Sequence, residues 1–145
     1  MAKERIFPEH LQPDALNDRG KGCMVEHLGI EFIEIGNNYL VATMPVDERT
    51  KQPLGLLHGG ASVALAETLG SVGASICLNL QKQYAVGLEI NTNHIKSATS
   101  GKVTGKATPI HIGKSTHVWS IETRNEDGQL VAVSRITMAI LDRKS

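Results

Sequence analysis

The stretch from Gln52 to Leu80, QPLGLLHGGASVALAETLGSVGASICLNL, limits what this chain can fold into more than any other. It opens as a Pro-marked loop, passes through His58-Gly59-Gly60, and runs on as small apolar residues broken by one carboxylate, Glu67. From about Gly60 to Leu80 the apolar residues fall on nearly every helical face. A helix of ~20 residues is ~30 Å long, and one this apolar belongs inside a sheet rather than on a surface. Gly70 and Gly73 weaken it by roughly 1 kcal/mol each relative to alanine, which predicts close packing against another backbone. An ionised Glu67 on such a segment is expected to be largely desolvated, which is costly unless it is paired, hydrogen-bonded or put to use.

The flanking segments supply the sheet. Pro13 and Asp14 mark a helix start and Gly20 a stop, so Leu11 to Arg19 reads as a short helix, followed by a helical turn through Met24, Val25 and Leu28. Residues 1–28 thus form an N-terminal helical segment. The period then changes: Ile30 to Ile35 and Tyr39 to Met44 read as two strands joined at Gly36-Asn37-Asn38. Val46 to Lys51 is a charged loop. Beyond the helix, Tyr84–Asn93, Gly101–Ile112, Lys114–Asn125 and Gln129–Leu141 are β-rich, with a hairpin turn at Glu126-Asp127-Gly128. Long strands around one apolar helix predict an α+β domain, a single curved antiparallel sheet wrapped about it, over residues 1–145.

Composition excludes several classes. Fifteen basic residues balance fifteen acidic ones, so charge gives no reason to expect nucleic acid or an anionic membrane as partner. MAKERIFPEH lacks the apolar core of a signal peptide, and no window approaches the roughly 18 apolar residues of a membrane span. A cytoplasmic protein is expected. Cys23 and Cys77 are too few and too far apart for a disulfide framework or zinc cage and read as reduced thiols. Gly113-Lys114-Ser115-Thr116 looks like the end of a phosphate loop, but Thr108 stands where its first glycine belongs and a strand follows. His94, His111 and His117 lack ligand-like spacing and read as surface or half-buried histidines, not metal ligands. Trp119 reads as core.

The central stretch carries the chemistry. Residues that open a helix leave backbone N–H groups unsatisfied at a positive dipole end, so Gly59 can hold a carbonyl oxygen that becomes an anion. Glu67 and Ser71, four apart, are neighbours on one face, and a carboxylate beside a hydroxyl can position water or attack directly. Pro53 holds Gln52 extended and so directs its amide, and His58 approaches from the same loop. Taken singly each residue reads as packing. Together they read as a site. Gly59 and Glu67 are eight residues apart, ~12 Å along a helix, whereas one electrophile needs its oxyanion donor and nucleophile within ~6 to 7 Å. If both act on one carbonyl they come from two subunits whose antiparallel helices meet about a two-fold axis.

Gln52, then His58-Gly59-Gly60, then Glu67 and Ser71, together with Val86 to Asn91 and Asn93-His94-Ile95-Lys96, resembles the hotdog-fold acyl-CoA thioesterases. The branch is that of the hydroxybenzoyl-CoA, 1,4-dihydroxy-2-naphthoyl-CoA and enterobactin-pathway proofreading enzymes, and the similarity runs from about Gly29 to Leu141. The resemblance implies a hotdog fold and hydrolysis of an aryl- or small acyl-CoA or acyl-carrier-protein thioester, without metal or other cofactor. It implies that Glu67 is nucleophile or general base and that the Gly59 N–H polarises the carbonyl. Gln52 assists at the carbonyl or the sulfur, His58 orients the loop, and Ser71, in place of a threonine found in some relatives, holds the water. CoA contacts fall on Val86, on Asn93, His94, Ile95 and Lys96, and on Ile110, His111, Ile112, Gly113, Lys114 and Ser115, with Lys96 and Lys114 able to meet phosphates. A homodimer at minimum, and a homotetramer by resemblance, is expected. A non-catalytic acyl-CoA-binding hotdog domain is the alternative, and a hotdog dehydratase a weaker one.

Overall fold

A computed structural model describes residues 4–144; the first three residues of the expected N-terminal segment, and Ser145, lie outside the described residues. The elements are α1 (Pro13–Arg19), α2 (Met24–His27), β1 (Glu31–Ile35), β2 (Leu40–Pro45), α3 (Gly59–Ile76), β3 (Gln83–His94), β4 (Lys102–Ile112), β5 (Thr116–Arg124) and β6 (Leu130–Asp142). All six strands form one antiparallel sheet in the order β1-β2-β4-β5-β6-β3. The strand that follows α3 in sequence therefore crosses the whole sheet to its far edge.

The sheet packs its inner face on α3, with alternate residues of its central strands turned toward the helix. His117, Trp119, Ile121 and Thr123 of β5 face inward, as do Ser134, Ile136 and Met138 of β6, and all are buried. Against them the helix buries Leu65, Ala66, Leu69, Gly70, Gly73 and Ala74. Each large aliphatic side chain so buried contributes about 1.5–3 kcal/mol of transfer free energy. The two helix glycines do admit close neighbours, but these are side chains rather than another backbone. A Cβ on Gly70 would overlap Ile136, and one on Gly73 would stand 2.9 Å from Trp119 Cζ3. Trp119 is core, as expected, and also stacks on Phe7.

Four local expectations change. The helix ends at Ile76 instead of Leu80, because Asn79 starts a turn, its Oδ1 accepting from the Gln81 N–H at 3.1 Å and its carbonyl from the Lys82 N–H at 2.9 Å. β5 begins at Thr116, two residues after Lys114, since Gly113–Ser115 forms the turn that the Gly113 N–H closes onto the Thr116 carbonyl. His117 is fully buried, its Nδ1 accepting from Trp119 Nε1–H at 3.4 Å. Finally, α3 is not covered all round. Val63, Ala64, Glu67, Thr68, Ser71 and Val72 are only half-buried and, recurring at steps of three and four, form one stripe. Glu67 is thus less desolvated than its apolar sequence suggests.

Candidate active site

The loop before α3 is held rigidly. Lys51 bridges Leu57, the Gln52 N–H donates to the Leu56 carbonyl at 2.8 Å, and Gly55, at φ 83°, closes the turn with an N–H to Gln52 carbonyl bond of 2.9 Å. A side chain at that positive φ would be strained. The Leu54 N–H donates to Gln52 Oε1. That contact fixes the amide's polarity: its oxygen is engaged within the loop, and its NH2 group has no partner among the described residues. The His58 N–H donates to the carbonyl of buried Thr50 at 2.8 Å, and the Thr50 hydroxyl to the Pro45 carbonyl at 2.7 Å.

The first turn of α3 accounts for all but one of its donors. His58 is the N-cap, and its Nδ1 accepts from the Gly60 N–H at 2.8 Å. The N–H groups of Ala61 and Ser62 donate to the His58 carbonyl at 3.0 and 3.2 Å. Gly59 N–H alone has no acceptor among the described residues. His94 lies close to this residue: a Cβ on Gly59 would stand 3.1 Å from His94 Nε2. Gln52, Gly59, Ser62, His94 and Lys96 are among the residues lining a cavity of about 320 Å³ at this helix end. An unpaired N–H at a positive dipole end, in a cleft, is suited to bind an oxygen that gains negative charge.

Glu67 lies two turns further on. It makes no hydrogen bond or ion pair among the described residues, and Gly87 of β3 faces it so closely that a Cβ there would stand 2.8 Å from Glu67 Oε1. Ser71 does not bond Glu67; its Oγ lies 3.9 Å from the sulfur of Met138, which pairs with Gly87 across the β3–β6 ladder. Gly87 lies within the Val86–Asn91 stretch of the resemblance, but only the folded arrangement brings it against Glu67.

The expected site residues fall into two groups at opposite ends of β3. Gln52, His58 and Gly59 gather with Asn93, His94, Ile95 and Lys96 at its C-terminal end. Glu67 and Ser71 gather with Val86 and Gly87 nearer its start. Ile110, His111, Ile112, Gly113, Lys114 and Ser115 lie at this second end too, because the register runs laterally from Ile112 to His117, Met138 and Gly87. Within one chain the two groups do not meet. No group of His, Cys, Asp and Glu among the described residues could hold a metal ion.

One long helix packed against a curved six-stranded antiparallel sheet is the hotdog fold. Residues 54–132 match the thioesterase superfamily. The chain is 52% identical over 136 residues to the 1,4-dihydroxy-2-naphthoyl-CoA hydrolase of Escherichia coli K12, covering 94% of this chain and 99% of that protein. It is 45% identical over 136 residues to the proofreading thioesterase EntH of Cronobacter turicensis, covering 94% and 98%. Solved structures agree: a mutant thioesterase from Pseudomonas aeruginosa gives a TM-score of 0.93 at 43% identity, covering 95% of this chain and 99% of that one. A thioesterase from Haemophilus influenzae gives 0.91 at 46%, covering 94% and 95%. The chain belongs to the thioesterase superfamily and is a thioester hydrolase.

Proposed function

We propose that this protein hydrolyses an acyl-CoA, with an aryl or small acyl group, in a site shared between two copies of the chain. The observation that carries the reading is the placement of the free Gly59 N–H and of Glu67 against opposite ends of the same edge strand. β3 is paired on one side only, and it presents exposed Val86 and Leu88 beside its open row of backbone groups, a surface suited to pairing with another strand. Antiparallel pairing with a second β3 about a two-fold axis brings the His94 end of one strand beside the Gly87 end of the other. The half-buried stripe on α3 would then meet its own copy, which supplies the cover that one chain lacks.

In the joined site, Gly59 N–H holds the thioester carbonyl oxygen and the Gln52 NH2 group donates to the carbonyl or the departing sulfur. Glu67 of the second copy acts as nucleophile or as base on a water held by Ser71, and His58 fixes the helix entry. The C–S bond breaks, the thiolate leaves, and water supplies the oxygen of the free acid. Asn93–Lys96 and Ile110–Ser115, far apart in one chain, come to flank one cleft, and Lys96 and Lys114 stand ready for CoA phosphates. The name of the Escherichia coli relative, a 1,4-dihydroxy-2-naphthoyl-CoA hydrolase, supports CoA as carrier and an aryl acyl group. A homotetramer built from two such dimers, a single domain over residues 1–145, and a cytoplasmic location complete the proposal; Cys23 and Cys77 are free thiols.

The test is a hydrolysis screen of aroyl-, phenylacetyl- and fatty acyl-CoAs, with acyl carrier protein thioesters included, read by thiol release. Turnover of aroyl-CoA that Glu67→Ala abolishes is expected. Near-normal turnover by the variant would overturn the assignment.

A further inference from the structure

Ser62 is the fourth residue of α3 and only 2% exposed. A buried serine inside a helix ordinarily returns its hydroxyl to the carbonyl four residues back, as Thr68 does to Ala64 at 2.7 Å. Ser62 makes no such bond. The carbonyl four residues before it belongs to His58, and that oxygen already accepts from the N–H groups of Ala61 and Ser62, which occupies both of its lone pairs. The Ser62 hydroxyl consequently has no partner among the described residues, and Ser62 is one of the residues that line the cavity with Gly59 and His94. Side chains on a helix lean toward its N-terminus, so this hydroxyl inclines over the turn that Gly59 opens. Two unpartnered donors, one a backbone N–H and one a side-chain O–H, thereby face the same space.

Resting on the acyl-CoA hydrolysis reading above, we propose that Ser62 is a further catalytic residue, the second hydrogen-bond donor to the thioester carbonyl oxygen beside Gly59 N–H. When the nucleophile adds to the carbonyl carbon, the C=O π pair moves onto oxygen, and both donors take up the negative charge. When the intermediate collapses, the pair returns, the C–S bond breaks and the thiolate departs. Ser62 stays protonated throughout. It is a donor and not a nucleophile, because no base among the described residues lies in hydrogen-bond contact with it to remove its proton.

The experiment compares wild type, Ser62→Ala, Ser62→Thr and Glu67→Ala on benzoyl-CoA, with melting temperatures for each. For Ser62→Ala, kcat is expected to fall roughly 100-fold, as for loss of one oxyanion donor, while KM moves by less than about threefold, since the bond strengthens only in the transition state. Its melting temperature should hold or rise, because no hydrogen bond of the fold is lost, and Ser62→Thr should recover activity. A kcat within about threefold of wild type, a loss confined to KM, or a lowered melting temperature would each overturn the role. An inactive Glu67→Ala beside a fully active Ser62→Ala removes Ser62 from the reaction and leaves the site standing. An active Glu67→Ala removes both.

Discussion

Glu67 Oε1 stands 2.8 Å from the point that a Cβ on Gly87 would occupy. Gly87 does not have the positive φ that would favour glycine; it pairs with Met138 just before the register shift between Gly87 and Glu89. Its lack of a side chain answers to the carboxylate. Gly87→Ala should leave the fold intact and displace the Glu67 side chain, which can swing. Because a misplacement of about 1 Å can cost about 100-fold in rate, kcat on benzoyl-CoA is expected to fall by an order of magnitude or more at an unchanged melting temperature. Wild-type kcat would show that the contact does not position the carboxylate.

Gln52 offers a sharper test of polarity. Its Oε1 is engaged by the Leu54 N–H, which leaves NH2 as the end free to act. Gln52→Glu keeps the shape and the acceptor for Leu54 but replaces the donor by a second carboxylate oxygen. It should depress kcat/KM at least as far as Gln52→Ala does, through repulsion of the developing oxyanion. A Gln52→Glu enzyme more active than Gln52→Ala would mean that the amide serves as an acceptor.

Stability should depend on pH through His117. Burial, and to a lesser extent the nearby His111, lowers its pKa below the ordinary 6.5. Below 6.5 the unfolded chain takes a proton that the folded chain refuses, so stability falls as pH drops from 6.5 and levels off below the folded pKa. His117→Phe should flatten this slope while lowering stability at every pH by about 1–3 kcal/mol, because Trp119 Nε1–H loses its acceptor. Urea titrations between pH 7.5 and 5 at about half-unit steps read both effects. An unchanged slope in the variant would assign the pH dependence elsewhere.

Thr123 Oγ1, on the inner face of β5, is buried without a partner among the described residues. Thr123→Val removes that hydroxyl at nearly constant shape, and relief of an unsatisfied polar group is worth about 1 kcal/mol. The melting temperature should rise by ~3 °C. A fall of similar size would reveal a partner, such as an ordered water.

Much of the fold was legible because its local signals agree. Pro13 and Gly20 bound α1, Gly128 turns the last hairpin, and the unbroken apolar run after Gly60 demands enclosure. The boundaries that moved, Leu80 to Ile76 and Lys114 to Thr116, did so where an Asn or Gly turn cut into an apolar or β-branched run. Strand order was less accessible: nothing local in Gln83–His94 says that it crosses to the far edge of the sheet. The candidate residues of the HGG loop and α3 stand out in the sequence by their chemistry. Gly87 and Ser62 do not, since the role proposed for one is the space it leaves and that proposed for the other depends on which carbonyl lone pairs are already taken.

Subunit complementation tests the shared site most directly. Gly59→Pro removes the free N–H at the first helical position, where proline is tolerated, and Glu67→Ala removes the carboxylate; each alone should be inactive. A hybrid dimer pairs the intact Gly59 of one chain with the intact Glu67 of the other, restoring one site of two. After unfolding and refolding an equal mixture, half of the dimers are hybrids, and activity should return to about a quarter of wild type. Hybrid dimers demonstrated by native mass spectrometry yet without activity would contradict a site built across two chains.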